Sequence, residues 1–380
     1  MKWESIKTEG ATTNVSMLED RKETWMQCTY TITPDAPQPI DQQLATIEKA
    51  EAALFTQLGI PPESILFRRF FSSDLINHRE ALLDFKQRQP SDFFYSLTEQ
   101  PPVPAKKLAL LGLCLANITN KTRDAELLCC ETTSGIQHLF VEHLIDPDAQ
   151  DDAAHQTERI FNRLRQTLSA YDATIENHVL RTWIYAPHVD ADYPGIVKAR
   201  RELFDQINLT KDTHYIASTG IQGGTGHPFA RVSMDAYAVA GIDETSIRYI
   251  HAPAYLSPTH HYGVTFERAT AIKMGITDFL FISGTASIDH EGNVVHVGDV
   301  VNQTHRTLTN ISALLAAGGF QPEDLSSFIV YLRDAADYTF VKPIIDAYAP
   351  GLPAVYVHAP VCRPQWLIEI EATAGTCITN

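Results

Sequence analysis

The chain has 380 residues, 44% of them hydrophobic and 20% charged, and a net charge of −16. That is ordinary globular composition, long enough for one large core or two to three small ones. Such acidity argues against nucleic acid and anionic membrane surfaces as partners, since both need Lys and Arg to meet phosphates. A small anionic substrate remains compatible with it, because a few local arginines can dominate a closed pocket.

The pattern along the chain repeats three times. A strand-like run over residues 23–33 leads to a helix over 44–58, the turn Gly59-Ile-Pro-Pro-Glu63 and a strand over 65–71. A second helix over 75–85 and strands over 93–97 and 108–118 follow. The next copy begins with apolar runs over 126–144 and a helix carrying Gln156-Thr-Glu-Arg159. It continues with a strand over 178–185, a helix over 193–207 and strands over 214–219 and 231–239. The last copy has runs over 264–287 and a helix over 299–315 whose Gln303-Thr-His-Arg306 echoes the earlier tetrad. Val300, Thr304, Leu308, Ile311 and Leu315 share its buried stripe, and Gly318-Gly319 ends it. The turn Gly319-Phe-Gln-Pro-Glu323 repeats the first copy's turn, and a strand over 325–332, a helix over 338–348 and strands over 354–359 and 367–373 complete it. The Pro-rich stretches 34–39 and 101–104 read as turns or linkers.

Each copy is thus a ββαβαββ unit of small-domain size, and the expected units are residues 1–120, 121–245 and 246–380. Three similar α/β units in one chain predict a pseudo-threefold body with clefts between units. Unlike those of a true trimer, the three clefts need not be equivalent. The chain is expected as a monomer, a pseudo-trimer in itself, without forbidding a homo-oligomer. No apolar run approaches the ~20 residues that span a bilayer. The start, MKWESIKTEG, carries no apolar signal core, and six cysteines without metal-ligand spacing suit a reducing cytoplasm.

The third copy resembles the Rid (YjgF-type) family through Phe281-Ile-Ser-Gly-Thr-Ala-Ser-Ile288, Gly298-Asp299 and Leu367-Ile-Glu-Ile-Glu-Ala372. The resemblance implies an α/β (α+β) fold of three Rid/YjgF-like, chorismate-mutase-like units with ligand clefts at their boundaries. Rid imine deaminases carry Pro-Ala-Arg before the last strand, the arginine holding the substrate carboxylate. This chain has Pro353-Ala354-Val355 there, which weighs against imine deamination. A closer resemblance, over about residues 179–374, is to the chorismatases, which cleave the enolpyruvyl ether of chorismate. Val179-Leu-Arg-Thr-Trp-Ile-Tyr185, Ala217-Ser-Thr-Gly-Ile221, Val355-Tyr-Val-His-Ala-Pro-Val-Cys-Arg363 and Leu367-Ile-Glu-Ile-Glu371 carry it. Chorismatases tend to have an arginine four residues before the Phe matched by Phe266; this chain has Tyr262 there, which bears on substrate or product.

Glu369 and Glu371 alternate with isoleucines, so both carboxyl groups leave one face of a strand. Enol-ether cleavage needs a proton delivered to carbon, and a carboxylic acid whose pKa is raised by burial can supply it. By family position Glu371 is the expected acid and Glu369 its orienting partner or the second candidate. The alternative is a pair of solvated glutamates on an edge strand. A substrate with two carboxylates calls for guanidinium groups. Arg181, flanked at period two by Trp183 and Tyr185, and Arg363 are the main candidates. Surface exposure is the alternative for both; Arg268 and Arg231 rank behind them, with a structural role as their alternative. Tyr262, Gly284, Ala286 and Cys362 complete the expected binding set, Cys362 as pocket wall and not as a nucleophile. Residues 283–286 could equally be a bulged strand end. His260-His261 lack a third ligand at metal spacing, and Gln222-Gly-Gly-Thr-Gly-His227 lacks the pattern of a P-loop or dinucleotide turn. No cofactor or metal is expected. The expectation is a cofactor-independent lyase or hydrolase acting on chorismate; the alternatives are a Rid-like enamine or imine deaminase and a non-catalytic ligand-binding protein.

Overall fold

The computed structural model describes residues 1–8, 10–148 and 151–378. Its first unit comprises β1 (Lys2–Thr8), β2 (Ala11–Glu19), β3 (Trp25–Pro34), α1 (Ile40–Leu58), β4 (Ile65–Ser72), α2 (Leu75–Gln87), β5 (Phe94–Glu99) and β6 (Leu108–Leu115). The second comprises β7 (Ile118–Asp124), β8 (Leu127–Thr132), β9 (Gln137–Ile145), α3 (Ala153–Ser169), the single turn α4 (Ile175–His178), β10 (Val179–Ala186), α5 (Val189–Gln206), β11 (Ala217–Gln222) and β12 (Ser233–Ala240). The third comprises β13 (Ile247–Ile250), β14 (Ala269–Met274), β15 (Thr277–Ala286), α6 (Val300–Gly318), β16 (Leu325–Leu332), α7 (Tyr338–Tyr348), β17 (Ala354–His358) and β18 (Ile368–Cys377).

Each unit forms one six-stranded sheet, and the strand orders β1-β2-β3-β6-β4-β5, β7-β8-β9-β12-β10-β11 and β13-β14-β15-β18-β16-β17 are the same order three times. The internal repeat read from the sequence is therefore a repeat of topology. Each unit has one strand more than the ββαβαββ reading. β1, β7 and β13 escape it because they are short or polar edge strands, half exposed, with no apolar run to announce them. β2 also lay outside the reading, its Ala11-Thr-Thr-Asn-Val-Ser run being rich in small polar residues.

The helices are closed by local chemistry. Asp299 caps α6 by accepting from the backbone N–H of Asn302, and Gly319 ends it at φ 86°. Asp74 and Asp152 cap α2 and α3 in the same way. α5 begins four residues earlier than the sequence suggested and carries Pro194 within it; the proline removes one hydrogen bond and does not set the boundary.

β4, β10 and β16 are buried at all eight positions. Helices cover one face of each sheet and the other two sheets meet the opposite face, so period-two alternation vanishes there. The units close into a ring. Tyr95 N–H donates to Glu142 Oε2 at 2.7 Å between the first and second units, and Ser218 N–H to Ser283 Oγ at 2.9 Å between the second and third. Val103 N–H donates to Tyr356 O at 2.9 Å between the first and third. Among the described residues no helix is long and apolar enough to cross a membrane.

Candidate active site

β18 runs through the centre of the third sheet and presents Glu369 and Glu371 from one face, opposite Tyr331 and Ile329 of β16. Both residues are about 95% buried, with 5% and 4% exposure. Their surroundings differ completely.

Glu371 is surrounded by donors from two units. Trp183 Nε1–H donates to Oε1 at 2.6 Å; the Thr219 hydroxyl donates to Oε2 at 2.9 Å and the Tyr331 hydroxyl at 3.1 Å. Arg181 Nη2 stands 2.8 Å from Oε2. Burial pushes the carboxyl pKa up, but Arg181, Arg69 and the hydrogen bonds from Trp183 and Thr219 outweigh it and hold it below the ordinary range. Glu371 is a fixed anion.

Glu369 has no hydrogen-bond donor or cationic partner within contact distance among the described residues. Burial first, and the neighbouring Glu371 anion second, push its pKa to about 8, against the weaker pull of Arg181 and Arg268. Its surroundings thus favour the protonated form. Gly284 gives it room: a β-carbon there would lie 2.1 Å from Glu369 Oε1. Gly284 sits where the register of β15 against β18 slips between Ile282 and Thr285, and the bulge turns the strand away from the carboxyl group.

Glu369 faces a small cleft between the second and third units. Three arginines line it. Arg200, on α5, is 1% exposed; it donates to Thr265 Oγ1 at 3.2 Å and to Ser218 Oγ at 3.4 Å, and its Nη2 is buried without a partner. Arg268 donates twice to Ser257 O, at 3.2 and 2.8 Å. The half-buried Arg363 lies between the rings of Tyr262 and Trp366, 4.8 and 5.0 Å from their centroids. Among the described residues none of the three has a carboxylate at salt-bridge distance. Cys362 forms part of the wall; burial, then Glu369, push its thiol up to about 12, so it is no thiolate.

Of the eleven site residues expected from the sequence, the structure brings seven to this cleft: Glu369, Arg268, Arg363, Tyr262, Gly284, Ala286 and Cys362. Glu371 lies behind Glu369. Arg181, Trp183 and Tyr185 do not reach the cleft: Arg181 and Trp183 are engaged with Glu371, and Tyr185 is buried beside Arg69. Their period-two spacing placed them on one face of β10, and that face points at the ring axis. Arg231 is tied to Asp192 at 3.5 Å away from the cleft.

Arg200 and Tyr193 were missed. In Lys198-Ala-Arg-Arg201 an arginine looks like part of a solvated face, yet Arg200 shares the buried stripe of α5 with Ile196, Leu203 and Phe204. Helical periodicity held that signal. His260 and His261 pack edge to face at 4.6 Å on a short turn, and among the described residues no three His, Cys, Asp or Glu side chains gather as metal ligands.

Comparison with known proteins bears on the same region. Residues 266–376 match the family described as Endoribonuclease L-PSP. A 3-hydroxybenzoate synthase of Streptomyces hygroscopicus is 30% identical over 218 residues, 51% of this chain and 62% of that protein. The chain thus spans about six tenths of that relative's length. The 3-aminoacrylate deaminase RutC of Acinetobacter baylyi is 34% identical over 99 residues, 26% of this chain and 79% of the relative. A chorismatase crystal structure superposes with a TM-score of 0.60 at 20% identity, covering 82% of this chain and 93% of that one; at that identity the likeness is one of fold.

Proposed function

We propose, for a chain that belongs to the Rid/YjgF superfamily and has the chorismatase fold, that it cleaves the enolpyruvyl ether of chorismate and releases pyruvate. One observation carries the reading. A buried, unpaired carboxyl group, whose surroundings favour its protonated form, faces a cleft in which three arginines lack carboxylate partners. Such a cleft suits a small dianion with an acid-labile bond.

Glu369 is the proposed acid, in place of Glu371. A fixed anion held by Arg181 and three donors has no proton to give near neutral pH, whereas Glu369 has one and points it into the cleft. Arg200, Arg268 and Arg363 receive the two substrate carboxylates. Glu369 protonates the terminal methylene carbon of the enolpyruvyl group, and the electrons of the double bond form the new C–H bond. The oxocarbenium ion left behind is stabilised by the carboxylate of Glu369. Water added to the oxocarbenium carbon gives a hemiketal, which collapses by breaking the bond between that carbon and the ether oxygen and leaves pyruvate and a dihydroxycyclohexadiene carboxylate. Capture by the neighbouring ring hydroxyl instead gives a cyclic ketal; its breakdown cleaves one ring carbon–oxygen bond, expels pyruvate and loses one ring proton, leaving a hydroxybenzoate with no net water. Glu371 acts through Glu369: its negative charge keeps the neighbouring proton in place.

Incubation of the purified chain with chorismate tests this. Stoichiometric pyruvate release, lost in Glu369→Gln with folding intact, is the expected result; chorismate left untouched by folded protein would falsify the reading. Similarity to the RutC deaminase favours enamine deamination as a second reading, against which Val355, 2% exposed and apolar, occupies the arginine position of the Rid deaminases. Accelerated ammonia release from fresh 2-aminoacrylate, with no action on chorismate, would support that second reading.

A further inference from the structure

The cleft in front of Glu369 encloses about 40 Å³, room for a few water molecules. Sites for small organic ligands usually enclose ~300–1,000 Å³. On the function proposed above a ring dianion must reach Glu369, so one wall of the cleft has to move.

Most of the walls are fixed. Ser218, Gly284 and Glu369 belong to the central strands β11, β15 and β18, and Arg200 shares the buried stripe of α5 with Ile196 and Leu203. The loop after β17, which brings Cys362 and Arg363, is fastened along its length. Arg333 Nη1 donates to Val361 O at 2.6 Å and Gln303 Nε2 to Gln365 O at 2.8 Å. Leu367 N–H donates to Gln303 Oε1 at 2.8 Å and Trp366 Nε1–H to Ser287 O at 3.1 Å.

The remaining wall is held differently. Tyr262, Val264 and Phe266 come from the stretch that joins β13 to β14. Its stems are anchored: Ser257 N–H donates to Asp289 O at 3.2 Å, and Glu267 N–H to Ile216 O at 3.0 Å. Between the stems the Thr259 hydroxyl donates to Phe266 O at 2.7 Å and closes a neck. Beyond the neck the chain bonds to itself, Gly263 N–H to His260 O at 3.2 Å and Val264 N–H to Thr259 O at 3.3 Å. A compact loop with its ends tied together can swing as a unit. Among the described residues, arginine side chains hydrogen-bond its tip to the rest of the molecule. Arg201 donates to Gly263 O, Arg200 Nε to Thr265 Oγ1 at 3.2 Å, and Arg363 Nη2 to Tyr262 O at 3.5 Å. The Tyr262 ring lies over two cations of the cleft, 4.8 Å from Arg363 and 5.3 Å from Arg268.

We propose that residues 259–266 form a lid over the cleft, hinged at the bond between Thr259 and Phe266 and latched by Arg201, which swings out to admit the substrate. Arg200 and Arg363 hold the tip with donors that the substrate carboxylates would claim, so anion entry and release of the tip are coupled. Arg201 is exposed and lies outside the cleft, so it can be removed without touching the substrate's own contacts. The lid rests on the reading of the cleft as the active site.

Amide hydrogen exchange of the intact chain, read over residues 258–266, tests the lid without any turnover. Those amides should exchange much faster than β18, through an opening of their own. Arg201→Met should speed them about tenfold, as expected for one lost charged hydrogen bond, and leave β18 unchanged. Gly263→Val, strained at a φ of 83°, should loosen the tip by a second route. In kinetics, a site that is open for more of the time binds better in proportion, so KM for chorismate should fall in both variants. Exchange in 258–266 as slow as in β18, or unaltered in both folded variants, overturns the lid. Faster exchange with an unchanged or higher KM overturns its role in substrate entry. A wild-type chain that leaves chorismate untouched counts against the proposed function, and the exchange result still decides whether the segment opens.

Discussion

The cleft between the second and third units and its counterpart between the first and second are built on one frame and furnished differently. Glu371 faces Ile329 and Glu369 faces Tyr331 in the third sheet; at the same register in the second sheet Asp235 faces Trp183 and Ser233 faces Tyr185. Asp235 receives a hydrogen bond from Ser96 on the neighbouring unit's edge strand, as Glu371 does from Thr219, and pairs with Arg69 as Glu371 pairs with Arg181. The buried anion is thus common to both. Only the third unit adds a second carboxyl group two residues earlier, and only there does the strand bulge carry a glycine. The second unit has His143 at the matching position, φ 54°, with its backbone N–H donating to Asp235 at 2.9 Å. Its neighbour Glu142 is held by Lys86 at 2.8 Å and Arg123 at 2.7 Å. One cleft is filled with satisfied ion pairs; the other holds an unpaired carboxyl group and three arginines without carboxylate partners. Burying a charge network stabilises neither site by itself; on the proposed function, the difference is chemistry kept in one place and sealed in the other.

Four experiments would break or sharpen that contrast. The largest effect belongs to the acid: Glu369→Gln should lower turnover of chorismate by about 10³-fold, measured as pyruvate release, with unfolding temperature unchanged or raised. Arg200→Met should cost about 100-fold in kcat/KM, mostly through KM, since it removes a buried guanidinium from a carboxylate; an unchanged KM would separate Arg200 from substrate. In the sealed cleft, Asp235→Asn should destabilise the chain by about 3 kcal/mol by stranding Arg69, seen in denaturant melts, while KM for chorismate stays put. Smallest is the pH effect. Because the acid must be protonated, the rate should fall as pH rises through about 8. The stability sign agrees. Folding raises the Glu369 pKa from 4.5 to about 8, so this group's contribution is fully present below 4.5 and declines as pH rises to about 8. Glu369→Gln should flatten that part of the melting profile.

The sequence carried the architecture well because local signals recur in pairs of copies: Asp caps α3 and α6, a glycine ends α1 and α6, and the same Gly-x-x-Pro-Glu turn follows both of those helices. Edge strands such as β7, with Asn120, Lys121 and Arg123 in it, left no apolar trace. The site was legible where a motif clustered it, as with Cys362-Arg363 and Glu369. It was not legible where direction decided. Alternation puts Glu369 and Glu371 on one face, as it puts Arg181, Trp183 and Tyr185 on one face, but no period says which end of that face opens to the cleft and which to the axis. Arg200 comes from a helix far along the chain, and its place beside Ser218 and Thr265 exists only after two units have packed. The roles of the two glutamates depend on the same packing, since Trp183, Thr219 and Arg181 reach Glu371 and stop short of its neighbour.

The three arginines sit inside a molecule of net charge −16. A dianion diffusing toward the cleft therefore meets repulsion at long range and attraction only within the last few ångströms. Added salt screens the first, over a Debye length of about 8 Å at physiological strength, more than it screens the second. Capture of an anionic substrate should therefore speed up as salt is raised from low ionic strength, the reverse of the dependence shown by enzymes that draw their substrates in by charge. On the proposed function, the acidic surface repels anions in general, and the cleft is where one of suitable shape would be let through.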